Sequence, residues 1–246
     1  MGLLKLSKYI IKKILLILGY KIINKYNHYF GIDESIEKIF NKAKLDKNKL
    51  TIFDIGANIG QSIKRFRRKF NKSKIYSFEP NPEIFKNLVE IQKKDSNLKV
   101  FNFAFSNKDS RTKLYYYKES GQNSLYPIKN KNKKNFFKVN TKKISTFLKK
   151  NKIKKIDLLK IDTQGSELDI IKGCGNYLKK ILIIEIELIF NDIYNKNTIS
   201  EIEKILSKFG FITWDIPNII KFPRSDIDRI YFADILFVNT KLIDCN

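Results

Sequence analysis

Histidine and cysteine are nearly absent from this sequence of 246 residues. His28 is the only histidine, and Cys174 and Cys245 are the only cysteines. Ser-His-Asp and Cys-His hydrolysis need a histidine beside the nucleophile, and structural zinc sites use four nitrogen or sulfur ligands. Two cysteines cannot build a disulfide framework either, which favours a reducing, cytoplasmic compartment. The composition therefore argues against these hydrolase, metal-centre and disulfide-rich classes.

The N-terminal segment, residues 1–30, lacks a membrane-spanning run, since Ile14–Tyr20 is its longest apolar stretch and a span needs roughly 20 residues. Wound as a helix, residues 1–26 separate lysines (Lys5, Lys8, Lys12, Lys13) from apolar side chains (Leu3, Leu4, Ile10, Ile11, Ile14, Ile17, Leu18). This pattern is typical of an interfacial helix on anionic lipid, and predicts peripheral contact with the inner face of a membrane. A helix packed on the following domain or on a partner subunit is the open alternative.

Acidic residues are scarce, with 25 Asp and Glu against 49 Lys and Arg, a net charge of +24. Such a charge suggests a polyanion partner. However, the excess is almost all lysine, whereas bidentate phosphate binding favours arginine, and the lysines are scattered along the chain. We interpret the charge as a composition bias and expect no nucleic-acid partner.

The sequence is long and apolar enough, at 43% hydrophobic residues, for one core, and we assign residues 31–246 to one domain. Apolar runs alternate with helical stretches, which is typical of a parallel sheet with crossover helices. Predicted strands are Leu50–Ile55, Lys74–Phe78, Leu98–Phe105, Ile156–Ile161, Ile181–Glu187, Phe211–Asp215 and Ile235–Val238. Predicted helices are Gln61–Phe70, Pro82–Lys94, Ile144–Lys150, Ser166–Lys172 and Ser200–Phe209. This alternation of strands and helices is interrupted by a predicted hairpin around Leu114–Tyr117 and a predicted exposed loop at Lys129–Lys134.

The segment Thr51–Gly60 reads as a buried strand that ends in an acidic residue and a glycine-containing turn before a helix. Such a turn lets a ligand approach the backbone, and the helix start offers unpaired N–H groups, although many α/β proteins use the turn only as structure. Asn58 occupies the second glycine position of the dinucleotide-binding motif, so NAD is not favoured.

Glu79 follows the next predicted strand, in Phe78-Glu-Pro-Asn-Pro82. A carboxylate at this position can accept hydrogen bonds from the hydroxyls of a ribose. Alone, it could equally be a favourable charge at the N-terminus of the helix that Pro82 begins.

Three ordered motifs resemble the FkbM family of S-adenosylmethionine-dependent methyltransferases. They are Asp54-Ile-Gly-Ala-Asn-Ile-Gly60, Phe78-Glu-Pro-Asn-Pro82, and Leu159-Lys-Ile-Asp-Thr-Gln-Gly-Ser-Glu-Leu168 followed by Ile170-Ile-Lys-Gly173. The resemblance runs from about Leu50 to about Val238, and Tyr194 and Ala233–Phe237 also look familial. It implies an α/β, Rossmann-like class I methyltransferase fold with a seven-stranded, mostly parallel sheet and an antiparallel edge strand.

The resemblance also implies a site for S-adenosylmethionine. Its methionine part would lie against the turn after the first strand, Glu79 would hold the ribose hydroxyls, and Phe103 and Ala104 would border the adenine. The full predicted set of cofactor-binding residues is Asp54, Gly56, Ala57, Asn58, Gly60, Glu79, Pro80, Phe103 and Ala104.

Positioning of the acceptor can supply most of the acceleration, and where a hydroxyl acceptor also needs a base, the candidates are carboxylates, since His28 lies upstream of the domain. Asp162 and Glu187 are the predicted catalytic residues, and Glu185 is a further candidate because it shares a strand face with Glu187. Pairing with lysines is the open alternative for each acid. Gln164 stands where many relatives carry a glutamate, and Ser145 where an aspartate is frequent, so no metal is expected.

We expect methylation of a hydroxyl on a sugar, in a glycan or lipid-linked saccharide. A nucleic-acid methyltransferase and a non-catalytic glycan- or lipid-binding domain of the same fold remain alternatives. The aromatic side chains of residues 107–138 could stack on sugar rings or simply pack on the domain, namely Tyr115, Tyr116, Tyr117, Tyr126, Phe136 and Phe137.

Overall fold

The computed structural model describes residues 30–117, 122–128, 135–190, 199–221 and 230–243. The helix expected within residues 1–26, the loop at 129–134 and Tyr194 lie outside these ranges. No helix in the described ranges is long and apolar enough to cross a membrane.

Strands and helices alternate along most of the described chain. The strands are β1 (Thr51–Ile55), β2 (Lys74–Phe78), β3 (Leu98–Phe101), β4 (Ala104–Phe105), β5 (Ser110–Tyr117), β6 (Gln122–Ser124), β7 (Asn135–Lys142), β8 (Ile156–Ile161), β9 (Ile181–Ile189), β10 (Phe211–Lys221) and β11 (Ile230–Asn239). The helices are α1 (Phe30–Lys42), α2 (Gln61–Lys69), α3 (Pro82–Gln92), α4 (Ile144–Lys150), α5 (Glu167–Cys174) and α6 (Ile199–Ser207), with 3₁₀ turns at Gly175–Lys180 and Thr240–Leu242.

The main sheet has seven strands in the order β10-β11-β9-β8-β1-β2-β3. Its strands β1, β2, β3, β8 and β9 run parallel, and β11 lies antiparallel between β9 and β10. The predicted Rossmann-like fold with an antiparallel edge is therefore confirmed. Strand order reverses between β1 and β8, and ligands of open α/β sheets bind in the crevice at the carboxyl ends of such strands.

Both faces of this sheet are covered by helices, as a mostly parallel sheet requires. Apolar side chains of α4, α5 and α6 form one core with the sheet, represented by Phe147, Ile170 and Leu206. Those of α1, α2 and α3 form the other core, and Ile36 and Phe66 are fully buried there.

The prediction of one strand over Leu98–Phe105 is wrong, because the chain leaves the main sheet at Asn102. The Asn102 amide fixes this break by donating hydrogen bonds to the carbonyl oxygens of Glu79 and Pro80, at 2.9 and 3.1 Å. The next residues, β4, pair with β7 in a second sheet of four strands in the order β4-β7-β5-β6. The hairpin expected around Leu114–Tyr117 is thus part of a larger sheet.

Candidate active site

A cavity of about 270 Å³ opens at the carboxyl ends of β1, β2 and β8. The turn after β1, the first residues after β2, and the ends of β8 and β9 form its wall, together with parts of the second sheet. Most of the predicted site residues line it, namely Gly56, Ala57, Asn58, Glu79, Pro80, Phe103, Ala104, Asp162 and Glu187. The fold therefore brings together motifs that are more than 100 residues apart in sequence.

The turn after β1 passes so close to the end of β8 that only glycine fits at its first position. Gly56 has φ of 83°, and a Cβ added there would lie 1.9 Å from the carbonyl oxygen of Asp162. The N–H groups of Gly56 and Ala57 both donate to the carbonyl oxygen of Phe78, at 3.0 and 3.1 Å. The turn is thus tied to both neighbouring strands.

Glu79 joins this turn to the start of α3. Its Oε2 accepts a hydrogen bond from the N–H of Asn58 at 3.0 Å, and its Oε1 accepts one from the N–H of Asn81 at 2.8 Å. The side chain is 3% exposed, and burial raises its pKa to about 7. A carboxylate offers about four lone-pair sites, so each oxygen of Glu79 retains acceptor capacity beyond these two bonds.

Two of the predicted cofactor-binding residues, Asp54 and Gly60, do not line the cavity. Asp54 is fully buried beneath it, where Ser77 Oγ lies 3.3 Å from Asp54 Oδ2 and burial raises the pKa of the acid to about 6. Gly60 faces α3, since a Cβ there would lie 2.7 Å from Ile91 Cδ1. These residues support the turn from behind rather than forming the wall.

Asp162 and Glu187 are joined by the side chain of Gln164. Its Nε2 donates to Glu187 Oε1 at 2.9 Å and lies 3.3 Å from Asp162 Oδ1. The other oxygen of Asp162 pairs with the buried Lys160 at 2.9 Å. Burial, and then repulsion by Asp162, raise the pKa of Glu187 to about 8. This wall of the cavity therefore holds two carboxylates, one paired with a lysine and one whose pKa is raised by burial.

The loop that carries Gln164 is organised by the buried carboxylate of Glu167. Glu167 accepts hydrogen bonds from Thr163 N and Oγ1 and from Gly165 N, at 3.0–3.3 Å. Gln164 itself has φ of 53°, in the left-handed region that non-glycine residues rarely adopt. Ser124 Oγ, from the second sheet, donates to the Gln164 carbonyl oxygen at 2.6 Å.

The expectation that Glu185 shares the cleft with Glu187 is wrong. Its two carboxylate oxygens accept hydrogen bonds from Arg65 Nη1 and Nη2, at 2.6 and 2.9 Å, and both side chains are 1% exposed. Arg65 Nε also pairs with Asp33 at 2.6 Å. Glu185 is thus bound to Arg65 of α2 and does not line the cavity.

The sequence interpretation did not identify the second sheet as part of the cavity wall. Asn123 and Leu125 line the cavity, and Asn123 Oδ1 accepts a hydrogen bond from Asn81 Nδ2 at 3.1 Å. Tyr126 donates to Asp169 on α5, so this segment spans the cavity from one rim to the other. No periodicity or motif in this polar stretch marks it as a wall.

Most of the aromatic side chains considered for sugar stacking contact other side chains of the domain, but Phe136 is 41% exposed. The rings of Tyr116 and Phe137 stack at 4.6 Å, and Tyr115 meets Phe136 edge to face. Tyr117 is buried, and its hydroxyl accepts a hydrogen bond from the N–H of Ile128. Among the described residues, no cluster of three or more His, Cys, Asp or Glu side chains is arranged to hold a metal ion.

Comparison with known proteins gives a match between residues 54–213 and the Methyltransferase FkbM domain. The chain is 24% identical over 213 residues to the 2-O-methyltransferase NoeI of Sinorhizobium fredii, covering 80% of this chain and 83% of NoeI. Among solved structures, it is similar to Aeropyrum pernix fibrillarin in complex with S-adenosyl-L-methionine, with 13% identity, a TM-score of 0.47, and coverage of 87% of this chain and 76% of that one. It is also similar to the METTL16 MTase domain, with 11% identity, a TM-score of 0.48, and coverage of 89% and 70%.

Proposed function

Because the chain belongs to the FkbM methyltransferase family, whose methyl donor is S-adenosylmethionine, we propose that it methylates a hydroxyl oxygen of a saccharide. The acceptor is a glycan or a lipid-linked sugar, and the scarcity of cysteine supports a cytoplasmic place of reaction. The observation that carries the proposal is the polar wall formed by Asp162, Gln164 and Glu187 beside the cavity.

The cavity fits the donor in chemistry as well as in place. Glu79 retains lone pairs on both carboxylate oxygens, which suits the two hydroxyls of a ribose. Pro80, Phe103 and Ala104 supply an apolar wall for a flat base, and the turn at Gly56 presents backbone for the amino acid end. When bound, S-adenosylmethionine supplies a methyl group on a positively charged sulfur that is a good leaving group.

The acceptor side of the cavity suits a neutral polyhydroxyl compound. Carboxylate and amide oxygens accept hydrogen bonds from sugar hydroxyls, and the amide N–H of Gln164 donates to both neighbouring acids. Lys160, the nearby cation, is already paired with Asp162. A phosphate group here would lie beside Asp162, and no lysine or arginine is among the described residues that line the cavity to offset its charge. This arrangement disfavours nucleic acid despite the net charge of +24.

Glu187 is the base in this proposal. Its pKa of about 8 leaves a fraction ionised at neutral pH while making it a strong proton acceptor, which is the best compromise for general base catalysis. When ionised, its carboxylate would accept the proton of the acceptor hydroxyl, whose oxygen would take the methyl group from the sulfur and leave the donor as a neutral thioether. Asp162 holds Lys160 and, through Gln164, keeps Glu187 in position. The oxygen acceptor agrees with the name of NoeI, a 2-O-methyltransferase.

Transfer of labelled methyl groups tests the proposal. The purified full chain and methyl-labelled S-adenosylmethionine are incubated together in three separate reactions. One contains a glycan and lipid-linked saccharide fraction, one contains total RNA and one contains duplex DNA. We expect the saccharide fraction to acquire label, and we expect glycosidase digestion to release that label. Label confined to RNA or DNA would contradict the acceptor class while leaving methyl transfer intact, and absence of donor binding by calorimetry would contradict catalysis altogether.

A further inference from the structure

A buried hydroxyl of the second sheet, that of Ser124, is bonded to the loop that carries Gln164. Ser124 ends β6 and is 1% exposed. Its Oγ donates to the carbonyl oxygen of Gln164 at 2.6 Å and accepts a hydrogen bond from the N–H of Tyr126 at 3.0 Å. A hydroxyl has one proton to donate, and Ser124 uses it on this loop. The second sheet is thus bonded directly to the wall of the cavity.

Gln164 holds a backbone conformation that its surroundings must maintain. Its φ of 53° lies in the left-handed region, which a non-glycine residue keeps only where neighbouring groups fix it. The orientation of this backbone determines where the side chain points, and Gln164 Nε2 lies 2.9 Å from Glu187 Oε1. The bond from Ser124 therefore acts through Gln164 on the carboxylate of Glu187.

Ser124 itself is held in place from both rims of the cavity. On one rim, the preceding residue, Asn123, accepts a hydrogen bond from Asn81 Nδ2 at 3.1 Å. On the other rim, Tyr126 donates to Asp169 of α5. The hydroxyl between these two attachments has a defined position, so it can fix the loop rather than follow its movements.

We propose that Ser124 is a positioning residue for methyl transfer, which holds the Gln164 loop so that its amide stays bonded to Glu187. This inference rests on the proposed function, in which Glu187 is the base. Without the Ser124 hydroxyl, the Gln164 carbonyl loses this hydrogen bond and the left-handed backbone can relax. The amide of Gln164 then moves away from Glu187.

The loss of this amide has a defined electrostatic consequence. The charged groups that act on Glu187 are Asp162 and Lys160, at the end of β8, and Asp234, its neighbour in β11. None of them bonds to Ser124, so they stay when its hydroxyl is removed. A hydrogen bond donated to a carboxylate favours the ionised form, and Gln164 therefore lowers the pKa of Glu187. Removing the Ser124 hydroxyl should raise that pKa further.

A purely local role of Ser124 is the alternative. A serine hydroxyl that accepts from the N–H two residues later stabilises a turn, and the bond from Tyr126 has this form. Such a role would affect the free energy of unfolding but would not change the titration of Glu187.

The titration of Glu187 tests the inference without any acceptor. The full chain is labelled with carbon-13 at the glutamate side-chain carboxyls, and the Glu187 signal is assigned by its absence in Glu187→Gln. We expect the midpoint to move to higher pH in Ser124→Ala and to stay in place in Ser124→Thr, which keeps the hydroxyl. Ser110→Ala is the matched control, because it removes a hydroxyl of the same sheet that bonds to Thr141, and its midpoint should not move.

Kinetics then separate positioning from donor binding. In the reaction with the saccharide fraction at pH 7, we expect Ser124→Ala to lower kcat about tenfold, as the loss of a single hydrogen bond in a buried site would do. The Kd for S-adenosylhomocysteine, measured by calorimetry, should stay within twofold. Ser124→Thr should recover most of the kcat.

An unchanged Glu187 midpoint in folded Ser124→Ala would overturn the inference alone, and a loss of stability would then assign Ser124 to the turn. Equal midpoints in the Ala and Thr variants would overturn it as well, because only one of them retains the hydroxyl. Full activity of Glu187→Gln would instead overturn the proposed base and, with it, the catalytic role of Ser124.

Discussion

The substitution Glu79→Gln distinguishes a role of Glu79 in donor binding from a purely structural role. The carboxylate lies in the cavity wall and is held by two backbone N–H groups, from Asn58 and Asn81. Glutamine keeps the shape but turns one acceptor oxygen into a donor and removes the charge. The two ribose hydroxyls would thus each exchange a hydrogen bond to a charged carboxylate for one with a neutral amide.

The size of the effect follows from these bonds. A hydrogen bond to a charged group is worth about 1.5–3 kcal/mol and a neutral one about 0.5–1.5 kcal/mol, so the loss over two hydroxyls is about 2–3 kcal/mol. This corresponds to an increase in the Kd for S-adenosylmethionine of about 30- to 150-fold. Burial raises the pKa of Glu79 to about 7, so the comparison belongs at pH 8.5, where the unmodified side chain is ionised.

Isothermal titration calorimetry with S-adenosylhomocysteine measures the Kd without turnover. Glu83→Gln is the matched control, because it makes the same chemical change at an exposed site in the first turn of α3. Circular dichroism checks that both variants are folded. A folded Glu79→Gln variant that binds within twofold of the unmodified protein would refute the assignment of Glu79 to the ribose.

Other substitutions probe the turn, the base and the buried charges. Gly56→Ala places a Cβ 1.9 Å from a backbone oxygen and should weaken donor binding at least about tenfold. Gly175→Ala is the control, since Gly175 also has a positive φ but a Cβ there would have nothing within 4 Å, and it should leave donor affinity unchanged. Equal donor affinities of the two variants would contradict the close packing of the turn at Gly56. For Glu187→Gln we expect a decrease in kcat of about 100-fold or more at unchanged donor affinity. The activity of the unmodified enzyme should increase as pH rises through about 8, since Glu187 accepts a proton only when it is deprotonated. A pH profile that is flat in this range would contradict the role of Glu187 as the base. Arg65→Met leaves the charge of Glu185 buried without its partner and should lower the free energy of unfolding in urea by about 3–5 kcal/mol, and a loss below about 1 kcal/mol would contradict this role.

Local sequence patterns identified the short strands that have polar residues at both borders. Lys74–Phe78 and Ile156–Ile161 have the bounds that were predicted, because each is a short and mostly apolar segment between polar residues. The split of Leu98–Phe105 was not predictable in this way. Its apolar alternation continues through the break, and the side chain that fixes it, Asn102, bonds to residues more than 20 positions earlier.

The site was predictable where one motif carries the chemistry and not where distant residues combine. Glu79 lies where its motif placed it, whereas Arg65 looks like a surface residue of a basic helix until its partner, 120 residues later, is known. The same holds for Glu185, which alternation alone assigned to the cleft. Asn123 lies in the cavity wall because β6 pairs with β5 in the second sheet, and no local sequence pattern predicts that pairing.

The most direct test of the account is a crystal structure of the protein with S-adenosylhomocysteine. The account predicts that both ribose hydroxyls lie within hydrogen-bond distance of the Glu79 carboxylate, with the adenine between Pro80 and Phe103. It also predicts that the sulfur faces the wall formed by Asp162 and Glu187. A ligand bound elsewhere, or bound here with its ribose away from Glu79, would contradict it.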